Sequence, residues 1–207
     1  MKKLLTVFAA IALVAAVHAQ KKGAPAFGIK AGANFYSIGG SDADEAGLKE
    51  SRKLKVGLAG GLLVNIPVSS TFSVQPEALY SEEGNLQKEG EASQKVAMTY
   101  INFPVMLQYN NKCGLYIETG PQVGILMSAK LKTDDGLDKD EIDLKDGFKK
   151  TGFSWGLGVG FKCKGGFGVG ARYNLGLSSL DDSEDNTKVT SSGFHVGVLY
   201  TFSASKK

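Results

Sequence analysis

From Ala26 to Phe202 the chain repeats one pattern. About ten residues alternate between large apolar side chains and small or polar ones, and a polar break follows. Alternation with period two, bounded by glycine or polar clusters, predicts antiparallel strands with one apolar face. The pattern is cleanest in Thr151–Leu177. In its first half Phe153, Trp155, Leu157, Val159 and Phe161 share a face, opposite Gly152, Ser154, Gly156, Gly158, Gly160 and Lys162. After a Lys-Gly-Gly turn, Phe167, Val169, Ala171, Tyr173, Leu175 and Leu177 face one way, and Gly168, Gly170, Arg172, Asn174 and Gly176 the other. A soluble sheet turns its polar face to water. This second face is mostly glycine, which makes a poor solvent surface but suits the crowded lumen of a narrow barrel whose large apolar face meets lipid.

The same reading extends along the chain. The first strand covers 26–36, with Phe27, Ile29, Ala31, Ala33 and Phe35 apolar and Gly28, Lys30, Gly32 and Asn34 opposite. The second covers 54–66 and the third 71–82, where Phe72, Val74, Ala78 and Tyr80 oppose Ser73, Gln75, Glu77 and Ser81. The fourth covers 98–109 and the fifth 113–127, where Leu115, Ile117, Thr119, Val123 and Ile125 oppose Tyr116, Glu118, Gly120, Gln122 and Gly124. The hairpin above supplies the sixth and seventh, and the eighth covers 192–202. Polar loops at 37–53, 83–97, 128–150 and 178–191 alternate with tight turns at 67–70, 110–112 and 164–166. Long and short connections in strict alternation are the pattern of an outer-membrane barrel, with short periplasmic turns and long external loops.

Aromatic residues sharpen the prediction. Phe27 and Phe35, Phe72 and Tyr80, Phe153 and Phe161, and Phe194 and Phe202 are each eight residues apart on apolar faces. At ~3.3 Å per residue and a tilt of about 40°, the two rings of a pair are separated by roughly 20 Å along the membrane normal. That spacing fits two aromatic girdles. The predicted fold is all-β: an eight-stranded antiparallel up-and-down transmembrane β-barrel.

Composition adds location more than activity. The chain has 207 residues, 27 of them glycine, which is about twice the usual share. Lys2 and Lys3 precede an apolar run, Leu4–Val17, and Val17-His18-Ala19 offers small residues for cleavage. Residues 1–19 read as a secretory signal peptide and 20–207 as one barrel domain. Removing Lys2 and Lys3 from the 24 basic residues leaves 22 against 21 acidic ones, so a nucleic-acid partner has no electrostatic support.

Strand eight ends His195-Val196-Gly197-Val198-Leu199-Tyr200-Thr201-Phe202. It resembles the C-terminal signal read by the barrel-insertion machinery of bacterial outer membranes, although Ser203–Lys207 extend past the final aromatic. FGIKAGANFY, SVQPEALYSEEG, YINFPVMLQY, YIETGPQVGILMSAK and GVGARYNLGL follow in order along the chain. With these the chain resembles the outer-membrane β-barrel domain proteins called PorT-like, or "porin family", in Bacteroidetes, which are small OmpX-type barrels. The resemblance implies fold and location. It implies no common activity.

Candidate chemistry is sparse. Lys30, Glu77, Glu118 and Arg172 fall on lumen faces, where buried charges need partners. Arg172 is expected to pair with Glu77 or Glu118, with Gln75, Gln122 and Asn174 completing a polar plug; a gated proton or ion path is the functional alternative. His195 is also on a lumen face. A Ser/His hydrolase would need it beside a serine, and a polar filler is the plainer reading. The segment 130–150 is rich in charge, but after Asp138 and Asp140 the next calcium-ligand position is Ile142, so the calcium-loop order is broken. Cys113 and Cys163 fall at the periplasmic ends of neighbouring strands, where a disulfide or two free thiols would both fit. No enzyme, cofactor or metal is expected. The expected partners are outer-membrane lipid, the insertion machinery and a surface ligand for the loops, with the barrel itself a monomer. Two alternatives to a plugged barrel acting through its external loops are a small-solute porin and a soluble periplasmic ligand-binding barrel.

Overall fold

The computed structural model describes residues 24–39, 52–89, 92–134, 139–179 and 190–202. The expected signal peptide, the polar segments 40–51 and 180–189 and the tail Ser203–Lys207 lie outside the described residues. Among the described residues there are nine strands: β1 Ala26–Gly39, β2 Arg52–Pro67, β3 Phe72–Glu89, β4 Ala92–Asn110, β5 Leu115–Asp134, β6 Lys139–Asp143, β7 Thr151–Lys162, β8 Phe167–Gly176 and β9 Thr190–Phe202. The described residues include no α-helix, only a 3₁₀ turn at Lys145–Gly147.

Eight strands form the wall in the order β1-β2-β3-β4-β5-β7-β8-β9, each antiparallel to the next. β1 pairs with β2 on one side (Ala33 opposite Leu58) and with β9 on the other (Ala33 opposite Val196), so the sheet closes. Closure leaves no open edge within the wall, the condition for strands to cross a bilayer.

The faces are inverted relative to a soluble protein. Leu157 is 64% exposed and Phe27 65%, whereas Gln75 and Gln108 are fully buried. An apolar exterior of this extent is stable only against lipid. The soluble periplasmic barrel is therefore excluded, because its strands would have to face the other way.

Aromatic rings mark both edges of the belt. Phe27 is opposite Phe202, and the rings of Tyr200 and Phe202 meet at 5.2 Å. At the other edge Phe35 is opposite Phe194, whose ring is 4.9 Å from that of Tyr173.

The tight turns gather at one end. In two of them a left-handed glycine completes the reversal: Gly114 (φ 99°) donates its N–H to the Asn111 carbonyl, and Gly166 (φ 88°) donates to that of Cys163. Side chains other than glycine rarely adopt this backbone region.

Three expectations need correction. β3 and β4 run through the predicted loop 83–97 to Glu89 and Ala92, and β5 continues to Asp134 with β6 paired beside it. The alternation there lacks a large apolar outward face because these residues stand beyond the lipid, yet their backbones still pair. Met98 keeps the lumen-facing parity of Tyr100 and Asn102, and a register shift at Thr99/Tyr100, with an extra residue on β5, turns Ala129 inward beside it. There they join Tyr100 and Leu126, with Val96 and Phe148 packed against them, as an apolar cap.

β5 begins at Leu115 rather than Cys113, because Cys113 belongs to the turn. Finally, Cys113 and Cys163 are both free and exposed. The ladder ends at Leu115 opposite Phe161, short of both cysteines, and of the two possibilities, a disulfide or two free thiols, the structure has the free thiols.

Candidate functional site: a cross-braced lumen and its outer mouth

The glycine-rich face makes room for the lumen contents. A Cβ at Gly158 would come within 2.9 Å of Glu118 Oε1, and one at Gly156 within 3.2 Å of Arg172 Cδ. Tyr116 lies against Gly160 and Gly170 in the same way, its hydroxyl 2.4 and 2.5 Å from the Cβ positions those residues lack. Methyl groups at these sites would displace the side chains that fill the barrel.

At mid-depth Arg172 on β8 makes three charge-assisted bonds. Nη1 and Nη2 donate to Glu77 Oε2 and Oε1 at 3.0 and 2.8 Å, and Nε donates to Glu118 Oε1 at 2.7 Å. β8 is four places from β3 around the eight-stranded ring, so the Arg172–Glu77 fork crosses the full lumen. Lys30 adds an ion pair to Glu77 at 3.5 Å, and Gln75 donates to Glu77 Oε1 at 2.7 Å. All five residues are buried. A bidentate guanidinium with a third bond fixes both carboxylates in place.

Below this layer, toward the tight turns, the filling continues. Gln108 donates to Glu118 Oε2 at 2.8 Å and accepts from Lys162 Nζ at 2.7 Å. Asn65 reaches Ser73, Gln75 and Gln108 at 3.0–3.1 Å, and the Lys162 ammonium sits 4.8 Å from the Tyr116 ring centroid.

Above it, Asn34 donates to Ser81 Oγ at 2.8 Å, so its carbonyl oxygen accepts from His195 Nδ1 at 3.0 Å. His195 Nε2 has no partner among the described residues. Asn174 donates to the Tyr36 hydroxyl at 2.7 Å. Glu83 Oε1 accepts from Asn102 at 2.8 Å and Ser81 at 2.9 Å, and the Lys55 ammonium is bonded to the Glu83 main-chain carbonyl.

The structure thus brings Lys30, Gln75, Glu77, Glu118 and Arg172 into one network, with Arg172 taking both carboxylates instead of one. Asn174 belongs to a separate contact with Tyr36. Gln122 stands further out, on the wall of a small cavity at the outer mouth. Sequence reasoning left out Asn65, Gln108 and Lys162, whose lumen-facing parity was a usable signal. It also missed Glu83 and Asn102; Glu83 had been assigned to a loop.

The closed antiparallel barrel has counterparts among known proteins. Residues 18–182 match the family described as outer membrane protein beta-barrel domain. The chain belongs to that family. As a family member it lies in the outer membrane, and in barrels of this kind the tight turns are periplasmic and the long connections external.

Its fold is similar to those of solved structures at low identity. Ail, the attachment invasion locus protein of Yersinia pestis, is 15% identical with a TM-score of 0.49, covering 87% of this chain and 99% of that one. Neisserial surface protein A is 12% identical with a TM-score of 0.47, over 85% and 97%. OprG from Pseudomonas aeruginosa is 15% identical with a TM-score of 0.42, over 89% and 99%. Among curated proteins no match is found.

Proposed function

We propose that this outer-membrane barrel acts through its external end, in surface interaction or envelope maintenance, and that neither solute passage nor catalysis is its task. The observation that supports this reading is the Arg172 brace. A guanidinium bonded to carboxylates on β3 and β5 fills the lumen at mid-depth, with further polar layers on both sides. A barrel of eight strands is filled by side chains or holds at most one small ligand, and leaves no open aqueous channel. Against catalysis, His195 bonds Asn34 through Nδ1, and among the described residues its other nitrogen has no serine beside it of the kind a hydrolase needs. Within the family, the order of motifs from FGIKAGANFY to GVGARYNLGL supports a place among the PorT-like small barrels.

Complementation of a deletion strain tests the reading. One version of the chain has the 39–52 connection cut to a two-residue turn, and another carries R172M/E118M. Detergent resistance and surface adhesion should be restored by the lumen variant and not by the shortened loop, with both barrels present in the outer membrane. The opposite result would assign the function to the lumen.

A further inference from the structure

At the outer mouth, above the Arg172 brace, lies a cavity of ≈ 40 Å³. By volume that is space for about three waters or one small organic head group. Its wall includes Glu83, Tyr36, Tyr100, Asn102, Gln122 and Ser154. Glu83 is only 6% exposed, and Tyr36 and Tyr100 are buried beside the same space. The deeper carboxylates Glu77 and Glu118 are both bonded to Arg172. Glu83 differs: the side chains that bond its carboxylate, Ser81 and Asn102, are neutral, and the nearby Lys55 ammonium is bonded to its main-chain carbonyl instead. With its Nδ2 committed to Glu83, Asn102 leaves Oδ1 as an acceptor, 2.6 Å from the Cβ position that Gly124 lacks on the cavity wall.

We propose that the outer mouth is a binding site for a primary ammonium group, held by the Glu83 carboxylate with Asn102 Oδ1 as a second acceptor and Tyr36 and Tyr100 as walls. The lining selects the guest. Among the described residues that border the cavity Glu83 is the one with a charged side chain, and its carboxylate repels an anion. A divalent metal needs several hard or borderline ligands, and the described residues hold no cluster of three His, Cys, Asp or Glu side chains. One carboxylate, neutral oxygens and aromatic rings suit a monovalent organic cation, which rings attract through their quadrupoles. This goes beyond the surface-interaction reading, because it places a small-molecule site in the barrel itself and not in the loops.

Two variants isolate the site. E83Q removes the charge and keeps the shape. Gly152→Val fills the cavity: a Cβ at Gly152 meets only Ser178 Oγ, at 3.7 Å, so methyl groups enter without backbone conflict. The full chain, folded in detergent micelles and checked by heat-modifiable migration, is titrated with methylammonium chloride and followed by NMR shifts of the tyrosine rings. A two-heavy-atom ligand is expected to saturate with Kd on the order of 10 mM. Affinity should fall at least tenfold in E83Q and in G152V, and tetramethylammonium, which has no N–H to donate to Glu83 or Asn102, should bind at least tenfold more weakly than methylammonium. Equal saturation in E83Q, no saturation below about 100 mM, or identical shifts with sodium chloride would overturn the proposal. None of those results would bear on the closed lumen or the loops.

Discussion

Arg172 is the residue on which the interior depends. Its guanidinium is 2% exposed and satisfies two carboxylates that would otherwise stand charged in a lumen almost free of solvent. Removing one partner of such a group leaves an uncompensated charge, which costs about 3–5 kcal/mol. R172M should lose stability of that order in urea unfolding from bilayers. R172M/E118M should recover more than half of it, since Glu77 keeps Lys30 as its partner and one buried charge of each sign is removed together. Equal stability of wild type and R172M would mean that the brace holds nothing.

These charges were legible before the structure, because parity alone placed Lys30, Glu77, Glu118 and Arg172 inside. Their pairing was not. Which carboxylate meets Arg172 depends on strand stagger across the ring, a long-range property that alternation along one strand does not contain. Glu83 escaped for a different reason. Its neighbours past the bulge are polar on both faces, so no apolar stripe marked them as strand.

At the scale of the element, one face of each strand is built for lipid. Leu157 stands midway between the girdle residues Phe153 and Phe161 on β7 and is exposed along its side chain. Leu157→Arg should therefore destabilise the barrel by about 2–4 kcal/mol, and the same change near either girdle by about 0–1 kcal/mol. Folding titrations in bilayers measure both, and a penalty independent of depth would contradict the assigned membrane position. The eight wall strands and their tight turns followed from period and glycine placement, which local sequence records directly. The extension of β3, β4 and β5 beyond the membrane and the added β6 did not. Outside lipid no large apolar residue is required on the outward face, and backbone pairing by itself leaves little trace in composition.

For the whole molecule, closure and inversion together define the protein. A sheet paired on both sides of β1 has no free edge in the wall, and its apolar exterior has a place only in a bilayer. What then separates a pore from a surface protein is the content of the lumen. Three polar layers fill it: Asn65, Gln108 and Lys162 toward the periplasm, the Arg172 brace at mid-depth, and Asn34, His195 and Glu83 toward the outside. Passage of a solute would require several buried bonds to open at once.

Single-channel recording in planar bilayers tests that closure most directly. The wild-type barrel should insert without discrete conductance steps in about 1 M salt, where charges are screened beyond roughly 3 Å. Stable, reproducible openings from the wild-type chain would contradict a closed lumen and return the protein to the solute-pore reading.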